Sequence, residues 1–183
     1  MSLVIRMLYV LLIAPFRPRL PAGPTKSRLR LFTLPNDLDI NLHMNNGRYL
    51  TICDLNRVDL FIRTGLAGLM LRRGWKPVVV EHTMSYKRPL RLFQRFEVTM
   101  ALTHWDEKYF YMTHTFIADD RVVALGMSKA ALRGRAGVLK PVEVVAELAR
   151  TQPQPPLASR PKGEIPCFWS AAHFHDHEKK RSR

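Results

Sequence analysis

The sequence predicts an α+β fold in which one long central helix lies against a curled antiparallel sheet. Three observations predict it. Residues 47–64 are free of proline, and their apolar side chains cover most of a helix circumference. Beyond residue 80 the apolar period changes from 3.6 to 2. One alternating segment, Ser27 to Thr33, precedes the helix.

In chain order, residues 3–14 are apolar apart from Arg6. A bilayer span needs about 20 such residues. Pro15 and Phe16 stand where a signal-peptide cleavage site wants small residues. The segment is therefore expected to pack on the domain, or to rest on a membrane beside Arg17 and Arg19, giving peripheral membrane contact through residues 3–19. Pro15, Pro18, Pro21 and Pro24 make a helix-free connector. Ser27 to Thr33 reads as a strand, and an Asp/Asn-rich loop follows from Pro35. Asn45 or Asn46 is a natural N-cap.

The helix then carries Tyr49, Ile52, Cys53, Val58, Phe61 and Ile62 at helical spacing, widened by Leu50, Leu55 and Leu60. Asp54/Arg57 and Asp59/Arg63 stand as helix-surface pairs do. Strands are expected at Val80 to Lys87, Phe96 to Thr103, Tyr109 to Ile117 and Val122 to Leu132, with turns at Trp105 to Lys108 and at Asp119-Asp120. Four successive strands with short connections imply an antiparallel sheet. Pro141 opens a short helix to about residue 150. The chain thus divides into an apolar and basic segment (1–26), a domain (27–150) and a Pro-rich, basic tail (151–183).

The 183 residues carry a net charge of +14, which points to an anionic partner. The first 35 residues hold Arg6, Arg17, Arg19, Lys26, Arg28 and Arg30 with no acid among them. Lys87, Arg88, Arg91 and Arg95 form a second cluster. No zinc-finger spacing, aromatic RNA-binding signature or helix-turn-helix accompanies them, so no nucleic-acid partner is expected. Cys53 and Cys167 make no disulfide framework, and a reducing, cytoplasmic setting is the default. Cys53 reads as packing. No Cys/His spacing indicates a metal, and His173, His175 and His177 read as a His-rich tail.

Between Asp37 and Asn46 the chain concentrates two carboxylates, three carboxamides and an imidazole, directly before the long helix. The first amides of a helix have no internal partners, so its start can receive a carbonyl oxygen that becomes negative during acyl transfer. A carboxylate or imidazole beside it can activate water or attack directly. Asp37, Asp39, Asn41 and His43 alternate, which puts them on one side of an extended loop. Asx-rich loops before helices also serve only as turns and caps.

The string Asp37-Leu-Asp-Ile-Asn-Leu-His-Met-Asn-Asn46 and Tyr49 resemble the Asp-x-Asp-x-x-Gly-His-Val-Asn-Asn-x-x-Tyr signature of hotdog-fold thioesterases, the 4-hydroxybenzoyl-CoA thioesterase-like group. Asp39-Ile-Asn41-Leu-His43-Met-Asn45-Asn46 is also similar to the matching run of plant acyl-carrier-protein thioesterases. The run Tyr86-Lys-Arg-Pro-Leu-Arg91 and the apolar N-terminus resemble a bacterial and animal subgroup of thioesterase-like proteins. The resemblance covers about residues 27–135 and implies a hotdog fold, a helix wrapped by an antiparallel sheet. It implies hydrolysis of an acyl thioester on coenzyme A or acyl carrier protein, with no cofactor beyond the coenzyme A of the substrate.

By motif position Asp39 is the nucleophile or base, with Asn41 and His43 supporting. The alternative role for His43 is structural, fixing the loop against the helix by hydrogen bonding. Asn45, Asn46 and Tyr49 would meet substrate, and Arg88 and Arg91 the phosphates, with Lys129 and Arg133 as further basic candidates. A homodimer or dimer of dimers is implied, with sheets joined edge to edge. Two departures stand out. Pro89-Leu90 replaces a Glu-Cys pair of the plant enzymes, for which Glu81 is a substitute, and Leu42 replaces the glycine before the histidine. They support a rival expectation, a non-catalytic acyl-CoA or lipid-binding protein at a membrane surface.

Overall fold

The computed structural model describes residues 3–152. The tail reading, with Cys167 and the His173 to His177 run, lies outside them. Helix α1 (Leu3–Ile13) continues into a 3-10 turn (Ala14–Phe16), and strand β1 (Thr25–Phe32) follows the connector. Next come α2 (Asn46–Thr64), α3 (Leu66–Arg73), β2 (Lys76–Tyr86), β3 (Arg95–Trp105), β4 (Phe110–Ala118), β5 (Arg121–Gly134), the short β6 (Gly137–Val138) and α4 (Pro141–Thr151).

The sheet is antiparallel in the order β1-β3-β4-β5-β2, with β6 paired to β5. It curls around α2, whose Tyr49, Ile52, Cys53 and Leu55 pack against Val98, Phe96 and Phe116 of the inner face. This is the expected α+β hotdog arrangement. Strands β1, β3 and β4 alternate because one face of each turns inward: Ser27, Leu29 and Leu31 of β1 are buried while Lys26, Arg28 and Arg30 are exposed, whereas β2 is exposed over most of its length. Asp119 and Asp120 both take positive φ (49° and 56°), the backbone that matches a two-residue hairpin to strand twist.

One topological expectation is corrected. The strands are not four neighbours in succession. β3, β4 and β5 form a meander, but β2 pairs with β5, at the far edge from β1. Residues 87–94 therefore cross from one side of the sheet to the other, and this crossover carries Leu90 into the core. β2 also begins at Lys76, earlier than alternation indicated, because the run Val78 to Val80 has no polar partner positions. At Gly126 a Cβ would lie 2.8 Å from Met84, so glycine lets β2 approach β5.

The N-terminal segment is part of the domain. Val10 and Ala14 join the main core. Arg6 reaches the Asp37 carboxylate with both guanidinium NH2 groups, at 2.9 and 2.6 Å. Arg17 donates to Asp59 at 2.8 Å, and Asp59 also lies 2.5 Å from Ser27 Oγ and 3.1 Å from Arg63. Asp37 and Asp59 are both buried. A buried ion pair is held at high stakes, since losing one partner strands a charge in low dielectric. The outward face of α1, with Val4, Leu8, Leu12 and then Phe16 at 90% exposure, remains apolar. Among the described residues no helix is long and apolar enough to cross a membrane.

Candidate active site

The loop before α2 is a small hairpin with a fastened base and an open tip. At its base a 3-10 turn (Pro35–Asp37) is capped by its own carboxylate: Asp37 Oδ2 accepts from Leu34 N at 2.8 Å while both oxygens take Arg6. Leu38 then pairs with Met44. Met44 is buried, and its N–H donates to Leu90 O at 2.8 Å on the crossover. His43 bridges to Arg91 on the same crossover. The segment that sends β2 to the far edge thus also backs the loop.

The tip is a turn over residues 39–42. Asp39 N donates to His43 O at 3.0 Å and Leu42 N to Asp39 O at 3.1 Å. Asp39 Oδ1 accepts from Asn41 N at 2.9 Å, an Asx turn that aims the carboxylate. His43 Nδ1 lies 3.7 Å from the same oxygen, within ionic reach but beyond a direct hydrogen bond. Ile40 is 96% exposed, and Asn41 and Leu42 are exposed beside it. Leu42 takes φ of 57°, the left-handed backbone for which glycine is suited, so the departure from the family pattern is absorbed as strain at one residue.

Asn45 caps α2, its Oδ1 accepting from Gly47 N at 2.8 Å, which leaves its amide NH2 without a partner among the described residues. Asn46 is the first residue of α2 and its carbonyl accepts from Tyr86 Oη at 3.0 Å. Tyr49 is corrected from a substrate contact to a core residue. It is buried edge-on between Tyr86 and Phe116, with ring centroids 5.0 Å apart in each case. Burial first, then Tyr86, push its hydroxyl up to about 12.

The basic candidates separate. Arg88 and Arg91 border one open groove, together with Gln94, Asp119 and Arg121. Gln94 positions this rim, accepting from Arg91 N at 2.9 Å and donating to Asp119 at 2.7 Å. Arg121 escaped the sequence reading because it lies across the β4–β5 turn from the Lys87 to Arg95 cluster. Lys129 is elsewhere, its ammonium 4.3 Å from the Tyr109 ring centre. Arg133 sits opposite Lys76 at the far end of β5. Glu81 is exposed on β2 and opposite Lys129; five residues short of Tyr86, it is about 17 Å of strand from the loop. Asp54 pairs with Arg57 and Asp59 with Arg63 at the expected spacing, but Asp59 and Arg63 form a buried pair rather than a surface one, because Ser27, Arg17 and the Pro18 carbonyl cover them.

An apolar cavity with about 660 Å³ of empty space, its mouth included, lies at the other end of α2, lined by Leu60, Phe61, Met112, Leu132 and Leu148.

Comparison with known proteins follows this geometry. The profile of the thioesterase-like superfamily matches residues 33–151. The chain is 38% identical over 125 residues to Protein THEM6 of Xenopus laevis, a match covering 67% of this chain and 58% of that protein. The chain thus spans little more than half the length of that curated relative. Among solved structures it is similar to the probable thioesterase YbaW of Escherichia coli, with a TM-score of 0.62 and 21% identity, covering 67% of this chain and 95% of that one. It is also similar to SAV2348 of Staphylococcus aureus, solved in complex with CoA, with a TM-score of 0.58, 14% identity, and 78% and 96% coverage.

Proposed function

The chain belongs to the thioesterase-like superfamily, and from that premise we propose that it hydrolyses acyl thioesters of coenzyme A through Asp39. The observation that carries this reading is the tip of the loop. Asp39 holds a carboxylate with no Arg or Lys partner among the described residues, aimed by an Asx turn, 3.7 Å from His43 and just before the start of α2. Either it attacks the thioester carbonyl and the C–S bond breaks, releasing the thiolate to take a proton from water and leaving a mixed anhydride that a second water cleaves, or it takes a proton from water as that water attacks the carbonyl and the thiolate leaves with a proton. In both routes the oxyanion forms near the first amides of α2, where the helix dipole stabilises negative charge. His43 restrains the carboxylate, Asn41 borders the same turn, and the free amide of Asn45 donates to the substrate carbonyl. Arg88 and Arg91, joined by Arg121, meet the phosphates. SAV2348 was solved in complex with CoA, which supports that carrier.

Thiol release from a panel of acyl-CoA esters tests the reading, with Asp39→Asn and Asp39→Ala alongside. Turnover by the parent and its loss in both folded variants is the expected result. Unchanged turnover in both removes Asp39 from the mechanism, and hydrolysis of acyl carrier protein thioesters alone removes coenzyme A.

The outer edge of β2, where Val78, Val79 and Val80 are exposed, suits pairing with a second copy into a homodimer, which light scattering on the eluting protein will reveal. A second reading rests on α1. Its outward apolar face and Phe16 suit a peripheral membrane surface, with Arg19 and Lys26 exposed nearby. Arg6 and Arg17 take no part, since both are spent on buried carboxylates. Tight binding of acyl-CoA without hydrolysis, together with flotation on anionic vesicles, would favour a binding protein over an enzyme.

A further inference from the structure

Three residues that share no sequence spacing meet inside the domain. Cys53 comes from α2, His82 from β2 and His114 from β4, and one donor atom from each, the Cys53 Sγ and one ring nitrogen of each histidine, lies within 4.8 Å of the other two. We propose that Cys53, His82 and His114 form a three-ligand site for a zinc-class divalent ion.

The first support is unmet hydrogen bonding. His114 Nε2 lies 2.8 Å from Ser128 Oγ, which fixes the ring and leaves Nδ1 facing the cluster. That Nδ1 and His82 Nε2 are buried and have no partner among the described residues. Two bare buried nitrogens beside one thiol are costly unless something fills the space between them. A ligating histidine ordinarily has its second nitrogen held by a hydrogen-bond partner, the role Ser128 plays for His114.

Protonation agrees with the donor set. A neutral imidazole offers one ring-nitrogen lone pair, and His114 Nδ1 and His82 Nε2 are the buried, unpartnered atoms among the described residues that can offer it. Burial pushes the Cys53 thiol up to about 12. Loading the ion therefore breaks the S–H bond, forms the S–metal bond and releases that proton to water. With metal–nitrogen bonds near 2.0 Å and a metal–sulfur bond near 2.3 Å, closing the cluster requires about 1 Å of side-chain movement.

Arg57 stands one turn beyond Cys53 on α2, with Nε and Nη2 buried and unpartnered among the described residues. These donors suit an oxygen ligand in the fourth position. If that ligand is a water that gives a second proton to solvent, the divalent ion, the thiolate and the resulting hydroxide sum to zero charge beside that guanidinium. The bound ion would tie α2 to β2 and β4. It is separate from the Asp39 loop, so the proposal does not depend on thioester hydrolysis.

The test uses the full chain carrying Cys167→Ser, His173→Gln, His175→Gln and His177→Gln, which removes the ligands of the tail. Cobalt(II) is expected to bind at one equivalent with a thiolate charge-transfer band, and zinc(II) to displace that band and raise the melting temperature. Cys53→Ser, checked for folding by circular dichroism, should lose the band. His82→Gln, at a half-buried position that tolerates change, should weaken cobalt binding at least ~10-fold. No band and no zinc-dependent melting shift in the tail-substituted chain would overturn the proposal, as would metal binding seen only with the tail intact. Equal cobalt affinity in the parent and His82→Gln would also overturn it, whether or not Cys53→Ser folds.

Discussion

Asp37 and Asp39 stand two residues apart in one loop and occupy opposite environments. The side chain of Asp37 is 2% exposed and gripped by Arg6; that of Asp39 is 22% exposed and, among the described residues, meets a turn amide and a nearby imidazole. At the base, burial and an ion pair convert a carboxylate into a fastening. At the tip, a carboxylate without a cation keeps its lone pairs available. Two like carboxylates of one short string are therefore two devices, and burial sorts them.

The largest expected effect lies at the base. Asp37→Ala leaves Arg6 buried and unpaired, and should cost about 3–5 kcal/mol of unfolding free energy in a denaturant titration. A cost below about 1 kcal/mol would erase the distinction between base and tip. Next comes Asp39→Asn, which should lower kcat/KM at least ~100-fold, about 2.7 kcal/mol of transition-state stabilisation, with unfolding free energy changed by less than about 0.5 kcal/mol. A variant that loses both activity and stability would make the tip a fastening too.

The same contrast runs between His114 in the interior and His43 at the tip. His114 is held at about 3 when folded, against 6.5 when unfolded. Between these values the unfolded chain binds a proton that the folded chain refuses. Its contribution to stability is full above pH 6.5 and declines as pH falls, by about 1.4 kcal/mol per pH unit for each refused proton. Melting temperatures of the metal-free protein from pH 7 to 5, a range above most carboxylate titration, should fall in the parent and fall less in His114→Gln. The smallest effect belongs to Leu42: Leu42→Gly relieves left-handed strain at a higher entropy cost, for a net gain of about 0.5–1 kcal/mol.

Much of this was legible in the sequence, for local reasons. Burial on one face imposes period 2 on β3, β4 and β5, and enclosure by the sheet spreads apolar residues around α2. The loop was legible through its resemblance to a family signature. The long-range pairings were not. Arg6 and Asp37 are 31 residues apart, and nothing local records that they meet. Cys53, His82 and His114 lie on three elements whose adjacency depends on β2 pairing with β5. The α3 turn between Gly65 and Gly74 left no periodic trace, because eight residues are too few to establish a period.

The two arginine fastenings bear on how this protein is handled at the bench. Periodicity invites a shortened chain that begins at β1 and discards the oily leader to gain solubility. Such a chain would lack Arg6 and Arg17, leave Asp37 and Asp59 without these partners, and uncover the core where Val10 and Ala14 had rested. Trimming for solubility would yield a protein more prone to aggregate, and the better route is to replace Leu8, Leu12 and Phe16 on the outward face.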